Sequence, residues 1–195
     1  MNKIWFTSDL HFSHNNILKF QPESRPFANV DDMNEAIIYN HNNVVDPDDT
    51  VYILGDVAFC NASQAIDLVN RMNGNKHLIV GNHDRKLIEA KEFRQCFITI
   101  RDYRVVDVIH GKKKLKYVLF HFPIYEWERC HHHARHLHGH VHGHAMPGMI
   151  GKSYDVGLDS PHLDGTFLRP FDVDELEYLV EHKVVLKHGT MNNDK

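Results

Sequence analysis

Three short apolar runs, Lys3–Thr7, Thr50–Leu54 and His77–Val80, each stop at a polar group: Ser8-Asp9, Gly55-Asp56 and Gly81-Asn82-His83-Asp84. The stretches between them have helical spacing. One begins near Asp31 with an apolar stripe of Met33, Ile37, Ile38 and Val44, and the Asp46-Pro47-Asp48-Asp49 turn stops it. The other runs over Ser63–Met72, with Ala65, Ile66, Leu68, Val69 and Met72 as its stripe, and Asn73-Gly74 closes it. This strand–helix order is that of an α/β unit with buried strands. Ligands of such units bind beyond the carboxyl ends of the strands, so the three polar ends can converge on one site.

The second half reads differently. Arg101–Ile109 and Leu115–Phe120 alternate around His110-Gly111-Lys112-Lys113-Lys114, the pattern of a β-hairpin with a basic, solvated tip. Further short strands are expected around His136–His140, Ser153–Val156 and Gly165–Leu168. A last helix is expected at Val173–Glu181, with Asp172 as N-cap and Glu175 as its capping-box partner. With no repeat or linker to divide 195 residues, the reading is a single domain over 1–186 and a frayed polar tail over 187–195.

Composition narrows the chemistry. A formal charge of -4 gives no global footprint for nucleic acid, although bound cations could still make a local one. The unusual figure is 18 histidines, and histidine is the commonest metal ligand. Cys60, Cys96 and Cys130 are odd in number and lack C-x-x-C spacing, which suggests neither a disulfide framework nor a zinc ribbon. Cys60 is read as buried and structural. No signal-peptide pattern or long apolar run is visible, so a soluble, reducing, cytoplasmic setting without membrane contact is the expectation.

Each polar end is weak evidence alone, because Gly-Asp and Gly-Asn also suit turns for conformational reasons. Their ordered set is more specific. Asp9-Leu10-His11, Gly55-Asp56, Gly81-Asn82-His83-Asp84, the isolated His121 and Gly139-His140-Val141-His142 follow one another, each after an expected strand. This set resembles the five signature blocks of the calcineurin-like metallophosphoesterases. Thr7-Ser8-Asp9-Leu10-His11-Phe12-Ser13-His14-Asn15 further resembles a small bacterial and phage branch of that family.

The resemblance implies an α+β (α/β) fold of two β-sheets packed face to face with helices outside them, a four-layer sandwich with metals at the strand ends. It implies a centre of two divalent metal ions, with Asp9, His11 and His142 serving one, Asn82, His121 and His140 serving the other, and Asp56 bridging both. His140 and His142 lie two apart, so a regular strand would aim them to one face; dividing them between metals needs adjacent positions on that face or a loop. The mixed N/O donor set suits Mn, Fe, Zn or Ni and does not choose among them; Mn is the ion expected. His83 is implied to be the catalytic imidazole facing the leaving group. Asp84 either accepts its second N–H or caps a helix over Arg85–Ala90. The implied reaction is hydrolysis of a phosphodiester, or phosphomonoester, by a metal-bridging hydroxide.

His14, Asn15 and Arg25 are candidate substrate-binding residues; Arg25 could meet the substrate phosphate, or be a surface arginine in a loop. His131-His132-His133, His136, His138 and His144 read either as a further metal or phosphate site or as a solvent-exposed histidine-rich loop. Only the His140/His142 pair follows a glycine as the family pattern requires. Tyr154-Asp155-Val156-Gly157 resembles scaffold without assigned chemistry. The expected partner is a phosphate ester, a small molecule or nucleotide, with nucleic acid still possible and the oligomeric state open. A catalytically inactive adaptor on the same fold would have lost ligands, and here every block residue, His83 included, is present. A metallo-β-lactamase fold would need an early H-x-H-x-D-H, and a metal-storage protein has no reason to place Asp and Asn at strand ends.

Overall fold

In the computed structural model, which describes residues 2–144, 152–161, 163 and 168–182, the three apolar runs lie side by side. β1 (Ile4–Thr7), β2 (Thr50–Ile53) and β3 (Asn75–Ile79) are parallel neighbours, with Thr7 opposite Ile53 and Ile53 opposite Leu78. Their carboxyl ends therefore leave one edge of the sheet together. β4 (Thr99–Arg101) adds to β3 in parallel, and β9 (Phe171–Asp172) pairs antiparallel with β1 on the other side.

Period-two alternation decides what each face meets. Trp5, Val51, Ile53 and Leu78 point to one face, where α2 (Val30–Asn42), α3 (Ala62–Asn70) and α4 (Lys91–Arg94) supply Met33, Ile37, Ala65, Val69 and Phe93. A short α1 (Ile17–Phe20) adds Ile17 to the same cluster. Phe6, Tyr52, Leu54 and Ile79 point the other way, into a core shared with a second sheet. That sheet has the order β5 (Tyr103–His110), β6 (Lys113–Phe120), β7 (Arg135–His138) and β8 (Ser153–Asp155). Leu115, Tyr117, Leu119, Leu137 and Tyr154 are its contribution, and the Phe6 ring lies 5.5 Å from Tyr52 and 5.2 Å from Tyr117. Each such buried aromatic or aliphatic side chain stabilises by about 1.5–3 kcal/mol.

β5 and β6 are antiparallel, whereas β6, β7 and β8 run parallel, so both sheets are mixed and the protein is α+β. The outer face of the second sheet is covered at Val118 by Trp127 and Ala134 from the segment between β6 and β7. α5 (Val173–His182) docks Val173 and Leu176 into the inter-sheet core. Its start is the expected capping box: Asp172 Oδ1 accepts from Glu175 N at 2.9 Å, and Glu175 Oε2 accepts from Asp172 N at 3.0 Å. Glu177 on α5 accepts from Arg135 Nε at 2.7 Å and from the Tyr117 hydroxyl at 2.9 Å, tying the helix to β6 and β7.

Several expectations shift. The hairpin turns more tightly, at Gly111-Lys112, and Arg101 belongs to β4; Lys114 and Lys116 both reach Asp107 at 3.0 Å while Lys112 is exposed. In place of a helix over Arg85–Ala90 there is a single 3-10 turn at Leu87–Glu89. Cys60 is half-buried against the core, not fully enclosed. The strand expected at Gly165–Leu168 and the tail over 187–195 fall on residues outside those described, apart from Leu168, which is in no strand. Among the described residues no helix is long and apolar enough to cross a membrane.

Two buried histidines bond backbone groups. His41 on α2 bonds the Asn73 carbonyl at 3.0 Å, and His136 on β7 spans Val118 O at 3.1 Å and Ile124 N at 3.2 Å. Burial pushes both imidazoles down to about 4. An unfolded chain protonates near its ordinary imidazole pKa while these do not, so the folded state binds fewer protons and loses stability as pH falls from about 6.5 towards 4. Urea unfolding of chelator-treated protein should show stability falling over that window, and the fall should be shallower in His41→Gln by about 3 kcal/mol.

Candidate metal centre

The loops that leave β1 and β2 zip together before they separate. Asp9 N bonds Gly55 O at 3.0 Å, His11 N bonds Asp56 O at 3.0 Å, and Phe12 N bonds Val57 O at 3.0 Å. Ser8 also bridges to Gly157, which links the first sheet to the segment after β8. The result is a tight nest of ligand-type side chains. Asp9, His11, Asp56, His140 and His142 all have positive φ, between 49° and 70°. Non-glycine residues adopt this conformation rarely, and such strain gathers where a site dictates the backbone.

The seven sequence-predicted ligands come together in two sets. His11 Nε2 stands 3.8 Å from Asp9 Oδ1 and 3.7 Å from Asp56 Oδ2, and His142 Nε2 stands 3.9 Å from Asp9 Oδ1. On the other side His121 Nε2 stands 3.6 Å from Asp56 Oδ1 and 2.9 Å from Asn82 Oδ1, which His140 Nδ1 approaches to 3.0 Å. Asp56 thus turns one carboxylate oxygen to each set. His140 and His142 lie in the loop after β7, which is how residues two apart serve different sets.

Among the described residues, Asp9 Oδ1 and His11 Nε2 are buried and find no hydrogen-bond partner. Leaving such atoms unpaired costs about 1–3 kcal/mol each. They face each other across a gap too wide for a hydrogen bond and close to the roughly 3–4 Å that separates donors sharing one ion at about 2.1 Å. The donor set therefore fits a cation better than it fits itself.

The imidazoles are preset for that role. His121 Nδ1 bonds Leu54 O at 2.7 Å and His142 Nδ1 bonds Asp159 Oδ2 at 2.6 Å, which leaves each Nε2 facing the carboxylates. His11 Nδ1 pairs with His14 Nδ1 at 3.0 Å in the same way. Burial lowers the pKa of His11, and burial with the nearby His11 and His83 lowers that of His14 to about 4. Burial opposes ionisation of Asp9, but the surrounding His11, His142 and His121 outweigh it and hold that carboxyl below its ordinary range. Burial likewise opposes protonation of His142, yet Asp159 and Asp9 overcome it and raise its pKa.

The glycines that precede the blocks have a steric reason. A Cβ on Gly139 would lie 2.1 Å from Asp9 Oδ2 and one on Gly81 would lie 2.2 Å from Asp56 Oδ1. Only a residue without a side chain lets the strand ends pass the two carboxylates.

His83 sits at the mouth. Its side chain is 46% exposed, its Nε2 is 3.9 Å from Asp56 Oδ2, and its ring leans on Phe59 at 4.5 Å. It is accessible to solvent while held beside the Asp56 carboxylate. Asp84 does something neither reading anticipated. It is fully buried, and its carboxylate accepts from Asp56 N at 2.9 Å, Gly81 N at 2.8 Å and Val57 N at 2.9 Å. It clamps the β2 and β3 loops together, and is neither a partner of the His83 ring nor a helix cap. Burial raises its pKa despite these donors.

Arg25 also needs correction. It is 0% exposed and cannot reach a substrate. Its guanidinium forks onto Asp159 at 2.9 and 2.8 Å and donates to Leu10 O at 2.9 Å and Asp9 O at 2.6 Å. It holds the first loop from beneath. His14 stacks on Phe59 at 3.9 Å and supports His11, so its place is behind the ligands. Asn15 is exposed and, among the described residues, makes no side-chain hydrogen bond to the cluster. Of the remaining histidines, His131, His132 and His133 are exposed, His131 pairing with Glu126 at 3.2 Å, whereas His136 and His138 are buried in β7 and do not belong to a solvated loop.

Asp159, Phe59 and Phe122 were missed from the residues alone. Asp159 offered a signal, a carboxylate just after a strand and a glycine, like the blocks that were found. Burial opposes its ionisation, but Arg25 and the bonds from His142 and Ser24 hold it far below the ordinary carboxylate range. Asp155 in the same segment accepts from Gly143 N at 2.7 Å and Gly157 N at 2.8 Å, and burial beside Asp9 raises it to about 6.

Comparison with known proteins places the chain in one family. It is 39% identical to the uncharacterized protein MJ1445 of Methanocaldococcus jannaschii over 147 residues, 70% of this chain and 73% of that one, and it belongs to the family of that protein. It is also 29% identical to the gene 66 protein of Mycobacterium phage D29 over 187 residues, 83% of this chain and 90% of that one. The crystal structure of AQ665 from Aquifex aeolicus, a protein of unknown function, shares the fold: TM-score 0.66, 24% identity, 92% of this chain and 100% of that one. No protein-family model matches the chain.

Two outcomes are expected. Gly139→Ala should weaken Mn²⁺ binding at least tenfold by calorimetry, since its Cβ and the Asp9 carboxylate cannot share the space. Arg25→Met takes the guanidinium from the buried Asp159 carboxylate and should cost about 3–5 kcal/mol in urea unfolding; an effect on substrate KM alone, with stability intact, would instead restore the substrate-phosphate reading.

Proposed function

We propose that the chain is a two-metal phosphoesterase of the calcineurin-like type, with the phosphodiester favoured over the phosphomonoester. The observation that carries this is Asp56, whose two oxygens face two separate imidazole sets, with Asp9 Oδ1 and His11 Nε2 buried and unpartnered beside it. A centre for two ions about 3.5–4 Å apart needs such a shared carboxylate. Asp9, His11 and His142 would hold one ion, Asn82, His121 and His140 the other, and the four-layer sandwich of that family suits the two mixed sheets.

Divalent ions held there, Mn or alternatively Fe, Zn or Ni, would neutralise phosphoryl charge and lower the pKa of water. The chain's own residues supply the rest. His83, exposed at the mouth, is set to give a proton to the leaving oxygen. Its backbone N donates to Asp56 Oδ1 at 3.0 Å, which fixes the start of the His83 side chain beside that carboxylate. Asp84 fixes the two loops that carry them, which makes it a positioning residue. Asn82, His83 and His140 are all exposed at this edge, and an open edge accommodates the second ester arm of a diester.

Hydrolysis of bis-p-nitrophenyl phosphate and p-nitrophenyl phosphate tests the reading. Turnover should require Mn²⁺, vanish with EDTA, favour the diester, and drop about 10²–10⁴-fold in His83→Ala with metal content unchanged. Folded, metal-loaded protein that hydrolyses neither ester would favour an adaptor on the same fold.

A further inference from the structure

Beside the Asn82/His121/His140 set stands a row of aromatic rings that the proposed hydrolysis does not use. The Phe122 ring lies 4.6 Å from His140 and 4.9 Å from His121, at steep angles of 60° and 76° to them. Phe120 follows at 5.6 Å, and Tyr103, its cross-strand neighbour on β5, lies 6.3 Å beyond. Phe120 and Phe122 are half-exposed and Tyr103 is 42% exposed. Their β6 neighbours Leu115, Tyr117 and Leu119 fill the inter-sheet core, so this row occupies the opposite set of positions along the strand.

The backbone that carries Phe122 is held in place. His136, buried in β7, accepts from Ile124 N through Nε2 and gives its Nδ1–H to Val118 O, so it pins the backbone on both sides of Phe122. The Trp127 ring packs against His136 at 5.3 Å, and its Nε1 donates to Ala134 O at 3.0 Å. Aromatic side chains left partly open beside a phosphate-directed site offer a stacking surface, and every nucleobase has a π-face to lay on it.

We propose that Phe122, backed by Phe120 and Tyr103, is an aromatic ledge that receives the base of a nucleotide whose phosphate lies at the metal centre. The proposal names the substrate class for the phosphoesterase reading and rests on that reading for the phosphate; the base contact rests on the ring geometry. Base stacking on an aromatic side chain contributes about 1–3 kcal/mol, a preference of roughly 5- to 150-fold.

The test compares AMP with ribose 5-phosphate, in which a hydroxyl replaces the base. Binding of each to Mn²⁺-loaded wild type, Phe122→Tyr and Phe122→Leu is measured by calorimetry, with phosphate release followed in the same samples. The expected result is AMP about tenfold tighter than ribose 5-phosphate in wild type and Phe122→Tyr, and equal affinities in Phe122→Leu, which keeps apolar bulk but has no π-face. Equal affinities in the wild type, binding of neither compound, or a preference that survives in Phe122→Leu overturns the ledge. A base preference that follows Phe122, in protein that hydrolyses no ester at all, leaves the ledge standing and removes the phosphoesterase reading.

Discussion

Two carboxylates, Asp9 and Asp56, are buried at adjacent strand ends, and the rest of the molecule is arranged around that fact. Two anions held close together away from water are unfavourable unless cations or donors face them. Here backbone amides of His140 and His83 take one oxygen of each, and the remaining oxygens turn towards imidazoles too distant to bond. The parallel register of the first three strands makes the juxtaposition unavoidable. The positive φ values and the glycines at 81 and 139 are the local adjustments that let it persist.

Beneath the carboxylates lies a layer of full-strength polar contacts. Arg25 is saturated by Asp159, two carbonyls and the Met33 sulfur, and Asp84 accepts from three amides. Each joins loops from different parts of the chain, so the geometry of the ligands does not rest on the ligands alone. Arg25 gathers the first loop against the segment after β8, and Asp84 gathers the second loop against the third. Breaking either would loosen the cluster without touching a single donor in it.

What could be read from the residues was whatever is local. Apolar runs ending at Asp9, Asp56 and Asn82 announce strand ends, and period-two alternation fixes which of Val51 and Tyr52 meets which face. The capping box at Asp172 and Glu175 is legible because its partners are three residues apart. Arg25 and Asp159 are 134 residues apart, and nothing near either one names the other. Arg25 therefore looked like a loop residue free to meet a phosphate, when the fold had already used every one of its donors. Asp84 was misjudged for a related reason: adjacency in sequence to His83 suggested a partner, but the backbone turns its carboxylate inward. The histidine-rich stretch shows the same limit, since strand membership separates buried His136 and His138 from exposed His131, and that depends on β6 and β8 as neighbours.

The Ser8–Gly157 bridge has a consequence for how the protein is made. The residues between the two are nearly the whole cluster, and Asp159 just beyond the bridge completes it. During synthesis Asp9, His11 and Asp56 emerge early, yet Gly157 and Asp159 join them only when about a hundred later residues have left the ribosome. Assembly of the cluster is thus a late event that reports completed folding, and any ion it bound would stabilise the finished chain by mass action, without guiding the nascent one.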